Sequence, residues 1–370
     1  MSFTIQCGRW LSLAFLGTAL SRAAAFEWEL ARFEGRDYVT LNSVSSFYGL
    51  PAPPVIEPLP LHGPPAPIAS GDSPGFAPPP SVIRLEAGKS QLELNLKSRE
   101  VNINGVKQWL AFPVHLDGTR ALISRLDIAK ILEPHLRPEK ITGLGKVETV
   151  VLDPGHGGHD RGAISRYGFE KDFSLDVALR AREMLEAQRY KVVMTRSSDI
   201  FVPLEERASI ANRIPNSVMV SVHFNSSSTN ADARGFEIFS IAPRGAPATN
   251  DAGFSERNLR EEPGNVVDLP STALAGTVYH SLLGHVPMID RGLKHARFAV
   301  LRRCTVPAVL VECGFVSNST EIALIGSSAW RRKVAEAIVE GVDNYKGLAE
   351  RGERPKSIAD YRRTAVPPTQ

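Results

Sequence analysis

Between residues 147 and 346, short apolar runs alternate with stretches whose apolar residues recur at helical spacing. The runs have the length and composition of buried strands, and they lie at 149–152, 191–195, 218–222, 236–239 and 308–311. The stretches with a helical apolar stripe lie at 173–185, 204–211, 271–283 and 328–346. This alternation predicts an α/β fold, namely a three-layer domain with a mostly parallel twisted sheet over 147–346.

The chain before this domain has a different pattern. A strand followed by a short helix is expected at 38–49 and again at 120–132. Between them, two segments alternate apolar and polar residues, and Asn104-Gly105 predicts a hairpin turn. We therefore expect a small α+β accessory domain at 26–140. Twelve prolines make 51–80 an extended insertion within it, and a basic, proline-containing tail at 350–370 is expected to be disordered.

The first 25 residues predict export. Arg9 precedes an apolar run at 10–20, and Ala23-Ala24-Ala25 follows it, which is the order of a secretory signal with its cleavage site. The run is short for a permanent membrane span, and no later segment approaches that length, so we expect no membrane span in the mature protein. A buried N-terminal helix is the alternative interpretation. The signal places the protein in the periplasm or cell envelope.

Composition excludes some classes of function. An apolar content of 43% supports a full core and argues against global disorder. The net charge of +3 is small for 370 residues and gives no argument for nucleic-acid binding, which requires a concentrated basic face.

Chemistry-bearing residues follow three of the expected strands. Asp-Pro-Gly-His-Gly-Gly occupies 153–158, Ser-Val-His-Phe-Asn occupies 221–225, and Val-Glu-Cys-Gly-Phe occupies 311–315. In open α/β sheets, functional groups gather at the carboxyl ends of the strands. Two histidines and acidic groups that meet there predict a zinc site, since catalytic zinc commonly takes two histidines and a glutamate and leaves a position for water.

These motifs resemble the zinc-dependent N-acetylmuramoyl-L-alanine amidases whose domain begins with a strand and Asp-Pro-Gly-His-Gly-Gly. The resemblance spans about 147–346 and keeps its order through further short motifs. These are Glu170-Lys171-Asp172, Thr195-Arg196, Leu204 with Arg207, Ala211-Asn212, Arg291-Gly292, and the apolar strand that ends at Glu312 before Gly314-Phe315.

The resemblance implies a role for each site residue. Zinc would be held by His156, Glu170 and His223, with Glu312 as the catalytic carboxylate and peptidoglycan as the substrate. Asn225 is a candidate for oxyanion or substrate contact.

Other interpretations of single residues stay open. Arg196 is a further candidate for substrate contact, but buried ion pairs would explain Arg196 and Arg207 equally well. Glu170 could instead favour the dipole of the following helix.

Three functions are compatible with the sequence: the amidase, a related zinc carboxypeptidase or deacylase, and a wall-binding protein without activity. An activating partner is not identified by any motif. Three short motifs, at 38–39, at 101–105 and at Ser124 with Asp127, also resemble the copper amine oxidase N-terminal-like domain, which implies an accessory module and no copper chemistry. Whether Cys304 and Cys313 form a disulfide is left open by their spacing.

Overall fold

The computed structural model describes residues 26–56, 82–358 and 360–361. The expected signal at 1–25, most of the proline-rich insertion and the last residues of the expected tail lie outside the described residues. Within the described ranges, no helix combines the length and the apolar character needed to cross a membrane.

The first part of the chain is built mainly from short antiparallel strands. In chain order, its elements are β1 (Leu30–Phe33), β2 (Arg36–Thr40), α1 (Leu41–Tyr48), β3 (Val82–Ala87), β4 (Ser90–Asn95), β5 (Glu100–Ile103), β6 (Val106–Trp109), β7 (His115–Asp117), β8 (Arg120–Ser124), α2 (Arg125–Asp127), a π-helical turn (Ile128–Leu132), α3 (Glu133–Leu136) and a 3-10 turn (Pro138–Lys140). The predicted hairpin is present, because Asn104 and Gly105 join β5 to β6 with φ angles of 54° and 83°.

The second part alternates strands and helices. Its elements are β9 (Thr149–Pro154), β10 (Ile164–Ser165), β11 (Gly168–Phe169), α4 (Glu170–Ala187), β12 (Lys191–Met194), α5 (Leu204–Asn212), β13 (Ser217–Asn225), β14 (Phe236–Ile241), two 3-10 turns (Glu256–Leu259 and Pro263–Val267), α6 (Asp268–His285), β15 (Asp290–Ala296), α7 (Ala299–Arg302), β16 (Ala308–Phe315), α8 (Glu321–Ile325) and α9 (Ser328–Arg351).

A ten-stranded mixed sheet runs through the molecule in the order β12-β9-β13-β16-β14-β15-β6-β5-β4-β3. The four strands from β12 to β16 are parallel, whereas β14 runs antiparallel to β16 and parallel to β15. The three-layer α/β fold is therefore confirmed, with β14 and β15 reversed relative to the four parallel strands and β3 to β6 joined as antiparallel neighbours.

Alternate side chains of each central strand point to opposite faces of the sheet. Val150 and Leu152 of β9 pack into a core formed with α4, α6 and α9. Val151 points to the other side, into a smaller core with α5 and α7. This alternation follows from the period of two along a strand, and it explains why the strands are apolar throughout.

Two features differ from the sequence-based expectation. The strands of the first part do not stop at a boundary, because β6 pairs in parallel with β15 through Gln108 and Leu293 and so extends the sheet of the second part. Order also continues past residue 350. Helix α9 ends at Arg351, Ile358 packs on the main core, and the Tyr361 hydroxyl accepts a hydrogen bond of 3.0 Å from Asn344.

Candidate metal centre

Three side chains that the sequence places far apart meet at the carboxyl ends of β9 and β13. His156 follows β9, Glu170 is the first residue of α4, and His223 lies near the end of β13. The Glu170 Oε1 atom is 3.0 Å from His156 Nε2 and 3.1 Å from His223 Nδ1. One donor atom from each residue lies within 4.8 Å of the other two. Two imidazoles and a carboxylate at this spacing form a donor set suited to zinc.

Small residues make the close approach of these side chains feasible. A Cβ atom at Gly155 would lie 2.3 Å from the His223 ring, and one at Gly162 would lie 2.6 Å from Glu170 Oε2. Between them, His156 itself has a φ of 61°, a left-handed conformation that non-glycine residues rarely adopt. The Gly-His-Gly sequence after β9 therefore serves the packing of the site.

A further group of contacts orients the three side chains. His156 Nδ1 lies 2.8 Å from Asp160 Oδ2, which leaves Nε2 directed at Glu170. Glu170 accepts backbone hydrogen bonds from Phe224 N at 3.1 Å and from Ala163 N at 2.8 Å. Both carboxylate oxygens of Glu170 are thus fixed before any ion binds.

The pKa values reflect a charge-complementary cluster. Burial alone would lower the pKa of His156, but the hydrogen bonds and charges of Glu170 and Asp160 raise it above its ordinary value. Burial alone would raise the pKa of Glu170, whereas hydrogen bonds with His156 and His223 hold it well below its usual range. The carboxylate is therefore ionised and attracts positive charge to this point.

Glu312 lies directly beside this cluster. It is paired in register with His223 on the neighbouring parallel strand, and with Glu237 on the antiparallel strand β14. Its Oε2 atom is buried and has no hydrogen-bond partner among the described residues. Burial raises the pKa of Glu312 well above its usual range, and the nearby charges of Glu170 and Glu237 add to that effect. A carboxylate in this position needs a proton or a cation as its partner.

A polar network that was not evident from the sequence lies next to Glu312. Asn225 Nδ2 donates to Glu237 Oε1 at 2.7 Å, and Glu237 also binds the buried ammonium group of Lys294. Arg291 Nε lies 3.1 Å from Glu237 Oε2. The Arg291-Gly292 motif was a partial signal, but Glu237 and Lys294 become neighbours only through the pairing of β14 with β15.

Arg196 does not reach the cleft, so the prediction that it contacts substrate is not supported. It is 2% exposed, and its guanidinium donates to four backbone carbonyl oxygens. Arg207 is buried to the same extent, with its Nη1 atom 2.8 Å from the carboxylate of Asp153. Asn225, by contrast, lines the cleft, and its contact with substrate stays a prediction.

The cleft over the cluster is open and has a mixed lining. Its volume is about 550 Å³. Its polar lining residues include Asn225, Ser226 and Glu312, and its apolar ones include Leu204 and Phe298, which are 52% and 40% exposed. This lining suits a substrate that carries both polar and apolar groups.

The two cysteines of this domain do not form a disulfide. Cys304 and Cys313 are both buried and free. Cys313 lies in β16 directly after Glu312, and its side chain belongs to the main core, so it faces away from the cleft.

Comparison with known proteins gives one consistent result. Residues 150–344 match the family model described as N-acetylmuramoyl-L-alanine amidase. The N-acetylmuramoyl-L-alanine amidase AmiA of Escherichia coli is 35% identical over 255 residues, covering 62% of this chain and 86% of that protein. AmiC of Neisseria meningitidis is 35% identical over 223 residues, covering 54% and 53%. Among solved structures, an N-acetylmuramoyl-L-alanine amidase from Clostridium difficile 630 is 32% identical with a TM-score of 0.45, covering 54% of this chain and 97% of that one.

Proposed function

The chain belongs to the N-acetylmuramoyl-L-alanine amidase family, and on that premise we propose that it hydrolyses the amide bond between N-acetylmuramic acid and L-alanine in peptidoglycan, with zinc. One observation carries the proposal. Glu170 Oε1 is within 3.1 Å of an imidazole nitrogen of both His156 and His223, and Glu312 lies beside them. This is a metal donor set with a carboxylate next to it.

The chemistry of the donors supports zinc as the ion. His156, Glu170 and His223 would hold it, and two nitrogen donors with one oxygen donor are typical of catalytic zinc sites. Asp160 binds the far nitrogen of His156, as carboxylates often do behind zinc ligands. Among the described residues, Glu312 Oε2 has no hydrogen-bond partner, which also favours a nearby cation. When bound, zinc would supply Lewis acidity toward the scissile carbonyl and would lower the pKa of a coordinated water.

The protein's own residues would move the protons. Glu312 would accept the proton of the attacking water and deliver a proton to the departing amine of L-alanine. Asn225 is held by Glu237 through one hydrogen of its Nδ2 atom, and the second hydrogen of the same nitrogen would donate to the developing oxyanion. Lys294 and Arg291 bind the carboxylate of Glu237 and hold it in place for this purpose.

Two other functions remain as candidates and differ in their products. A zinc carboxypeptidase or deacylase would cut elsewhere and would release no new L-alanine amino terminus. A wall-binding protein without activity would bind sacculi and release nothing. The presence of Glu312 beside the donor set favours hydrolysis over simple binding.

Further proposals concern the regions of the chain outside the metal centre. The pattern at 1–25 supports export to the periplasm or cell envelope, where peptidoglycan lies. Residues 26–140 would act as an accessory part, and their likeness to the copper amine oxidase N-terminal-like domain remains a prediction. An activating protein partner remains unidentified.

The test uses the protein from residue 26 onward with purified sacculi, with and without a zinc chelator. We expect chelator-sensitive release of stem peptides that carry free L-alanine amino termini, detected by mass spectrometry. Products cut at another bond would support the carboxypeptidase or deacylase instead. His156→Ala and His223→Ala should each lose bound zinc, and full zinc occupancy in both variants would reject the ligand set.

A further inference from the structure

Two buried arginines lie beneath the loop that carries His156. Residues 154–156 leave the end of β9 and bring His156 into its left-handed conformation, with a φ of 61°. Because an L-residue does not favour this conformation, the surrounding structure has to impose it. Besides backbone hydrogen bonds of Gly155 and Gly157, side-chain contacts from Arg196 and Arg207 hold this loop.

Arg207, a residue of α5, forms hydrogen bonds with the loop. Its Nη1 atom donates to the Pro154 carbonyl at 2.6 Å, and its Nη2 atom donates to the His156 carbonyl at 2.7 Å. Its Nη1 atom also lies 2.8 Å from Asp153 Oδ1, which fixes the guanidinium on the strand. The carbonyl of the strained residue is therefore held by a charged, planar group with a fixed direction.

Arg196 connects the same loop to the helix that supplies the second donor. Its Nε atom donates to the Pro154 carbonyl at 3.0 Å, and its Nη2 atom donates to the Gly155 carbonyl at 2.7 Å. The same Nη2 atom donates to the Lys171 carbonyl at 2.8 Å, one residue after Glu170. One side chain thus sets the distance between the loop of His156 and the first turn of α4.

We propose that Arg196 and Arg207 are positioning residues for the metal centre, holding residues 154–156 in the conformation that brings the His156 imidazole to Glu170 and His223. The proposal rests on the proposed function, since it concerns the same donor set. Neither guanidinium hydrogen-bonds to the side chain of His156, Glu170 or His223; the contact of Arg207 with His156 is to its backbone carbonyl. Burying two guanidinium groups is costly; Arg207 forms an ion pair with Asp153, and backbone carbonyl oxygens of the loop accept hydrogen bonds from both groups.

The hydrogen bonds to the loop carbonyls require arginine at 196 and 207, because another cation would not reproduce them. Each guanidinium donates hydrogen bonds to carbonyl groups that lie in different directions, and its N–H groups lie in one rigid plane. A lysine would keep the charge but would present a single nitrogen on a flexible chain. Arg196→Lys and Arg207→Lys therefore test positioning separately from charge.

The measurement is the zinc dissociation constant, obtained by competition with a chromophoric chelator, together with the melting temperature of the metal-free protein. We expect Arg196→Lys and Arg207→Lys to bind zinc about 10-fold to 100-fold more weakly than wild type, as is usual for residues that support metal ligands. Arg213→Lys is the matched control at the end of the same helix as Arg207, where the side chain is exposed and binds Glu206; it should bind zinc like wild type.

A second control separates affinity from general destabilisation. Gly341→Ala would force α9 away from α6, far from the loop, because its Cβ would lie 2.5 Å from Val278 Cα. This variant should melt lower but keep its zinc affinity. If Arg207→Lys does not fold, Thr195→Val provides a milder test, since the Thr195 hydroxyl donates to Asp153 Oδ1 at 2.6 Å.

The outcomes distinguish this inference from the proposed function. Zinc binding within twofold of wild type in both arginine variants, or in Thr195→Val where Arg207→Lys does not fold, would overturn the positioning role and leave the ligand set intact. Wild-type protein that binds no zinc would reject the ligand set itself, and the positioning role with it. Weaker zinc binding in the arginine variants alone, with both controls unchanged in affinity, supports the inference.

Discussion

Replacing Glu312 by glutamine should separate turnover from metal binding and from stability. The change keeps the size of the side chain but removes its ability to accept a proton. The Oε2 atom of Glu312 has no hydrogen-bond partner in the part of the chain that the structure describes. It is therefore available to accept a proton from a water in the cleft. Glu312 is not among the three donors that converge. We therefore expect full zinc content and a large loss of kcat.

The size of that loss follows from the role assigned to Glu312. A positioned general base contributes about 10²-fold to 10⁴-fold to a rate, which corresponds to roughly 2.7–5.4 kcal/mol of the activation barrier. The effect on stability should have the opposite sign. Glu170 and Glu237 both lie near enough for their charges to act on Glu312, so a neutral amide removes repulsion from the metal-free fold. Its melting temperature should be equal to wild type or higher.

The assay pairs kcat on a soluble muramoyl peptide with zinc content and the melting temperature in chelator. Glu321→Gln is the matched control, because this buried glutamate accepts backbone hydrogen bonds from Gly235 and Phe315. It should lower stability and leave kcat largely unchanged. Activity of Glu312→Gln within tenfold of wild type, at full zinc content, would refute the reasoning.

Three further predictions concern packing and pH. Gly155→Ala should lose zinc binding and activity, measured by metal analysis and turnover, because its Cβ would lie 2.3 Å from the His223 ring. Gly341→Ala should lower the free energy of unfolding by about 1–3 kcal/mol in urea titrations, since its Cβ would lie 2.5 Å from Val278 Cα. Burial raises the pKa of Asp127 from 3.8 to about 7. The folded state therefore holds this proton more tightly, and its stabilisation is present below pH 3.8 and is lost as the pH rises through about 7. Melting temperatures of Asp127→Asn should accordingly fall less over that range than those of wild type.

Controls for these variants come from the same chain. Gly253→Ala adds a Cβ that would meet no atom within 4 Å, so it should match wild type in zinc content and stability. Equal zinc content in Gly155→Ala and Gly253→Ala would contradict the packing argument. Parallel pH profiles for wild type and Asp127→Asn would show that Asp127 does not titrate as described.

The sequence was sufficient to predict the layers and the place of the site. Buried parallel strands are apolar throughout, so β9, β13 and β16 were recognisable as short apolar runs. The polar residues that follow such strands must gather on one side of a sheet, which brought His156 and His223 into one predicted cluster.

The rest depended on contacts between distant parts of the chain. The reversal at β14 leaves no mark on a strand that is buried on both faces, and the Glu237–Lys294 pair exists only because of that arrangement. Arg196 was ambiguous because a buried arginine and a substrate-binding arginine look identical in a sequence. Its four carbonyl partners come from three separate segments.

The parallel pairing of β6 with β15 has a consequence for how the protein can be divided. Trp109 of β6 lies so close to Gly292 that an added Cβ would sit 2.4 Å from its ring. A chain cut before residue 141 would lose this cover and leave β15 as an edge strand, with backbone N–H and C=O groups open to pairing with another molecule. The accessory strands therefore cover this edge of the sheet, and we expect a shortened chain to expose it to pairing with a second copy.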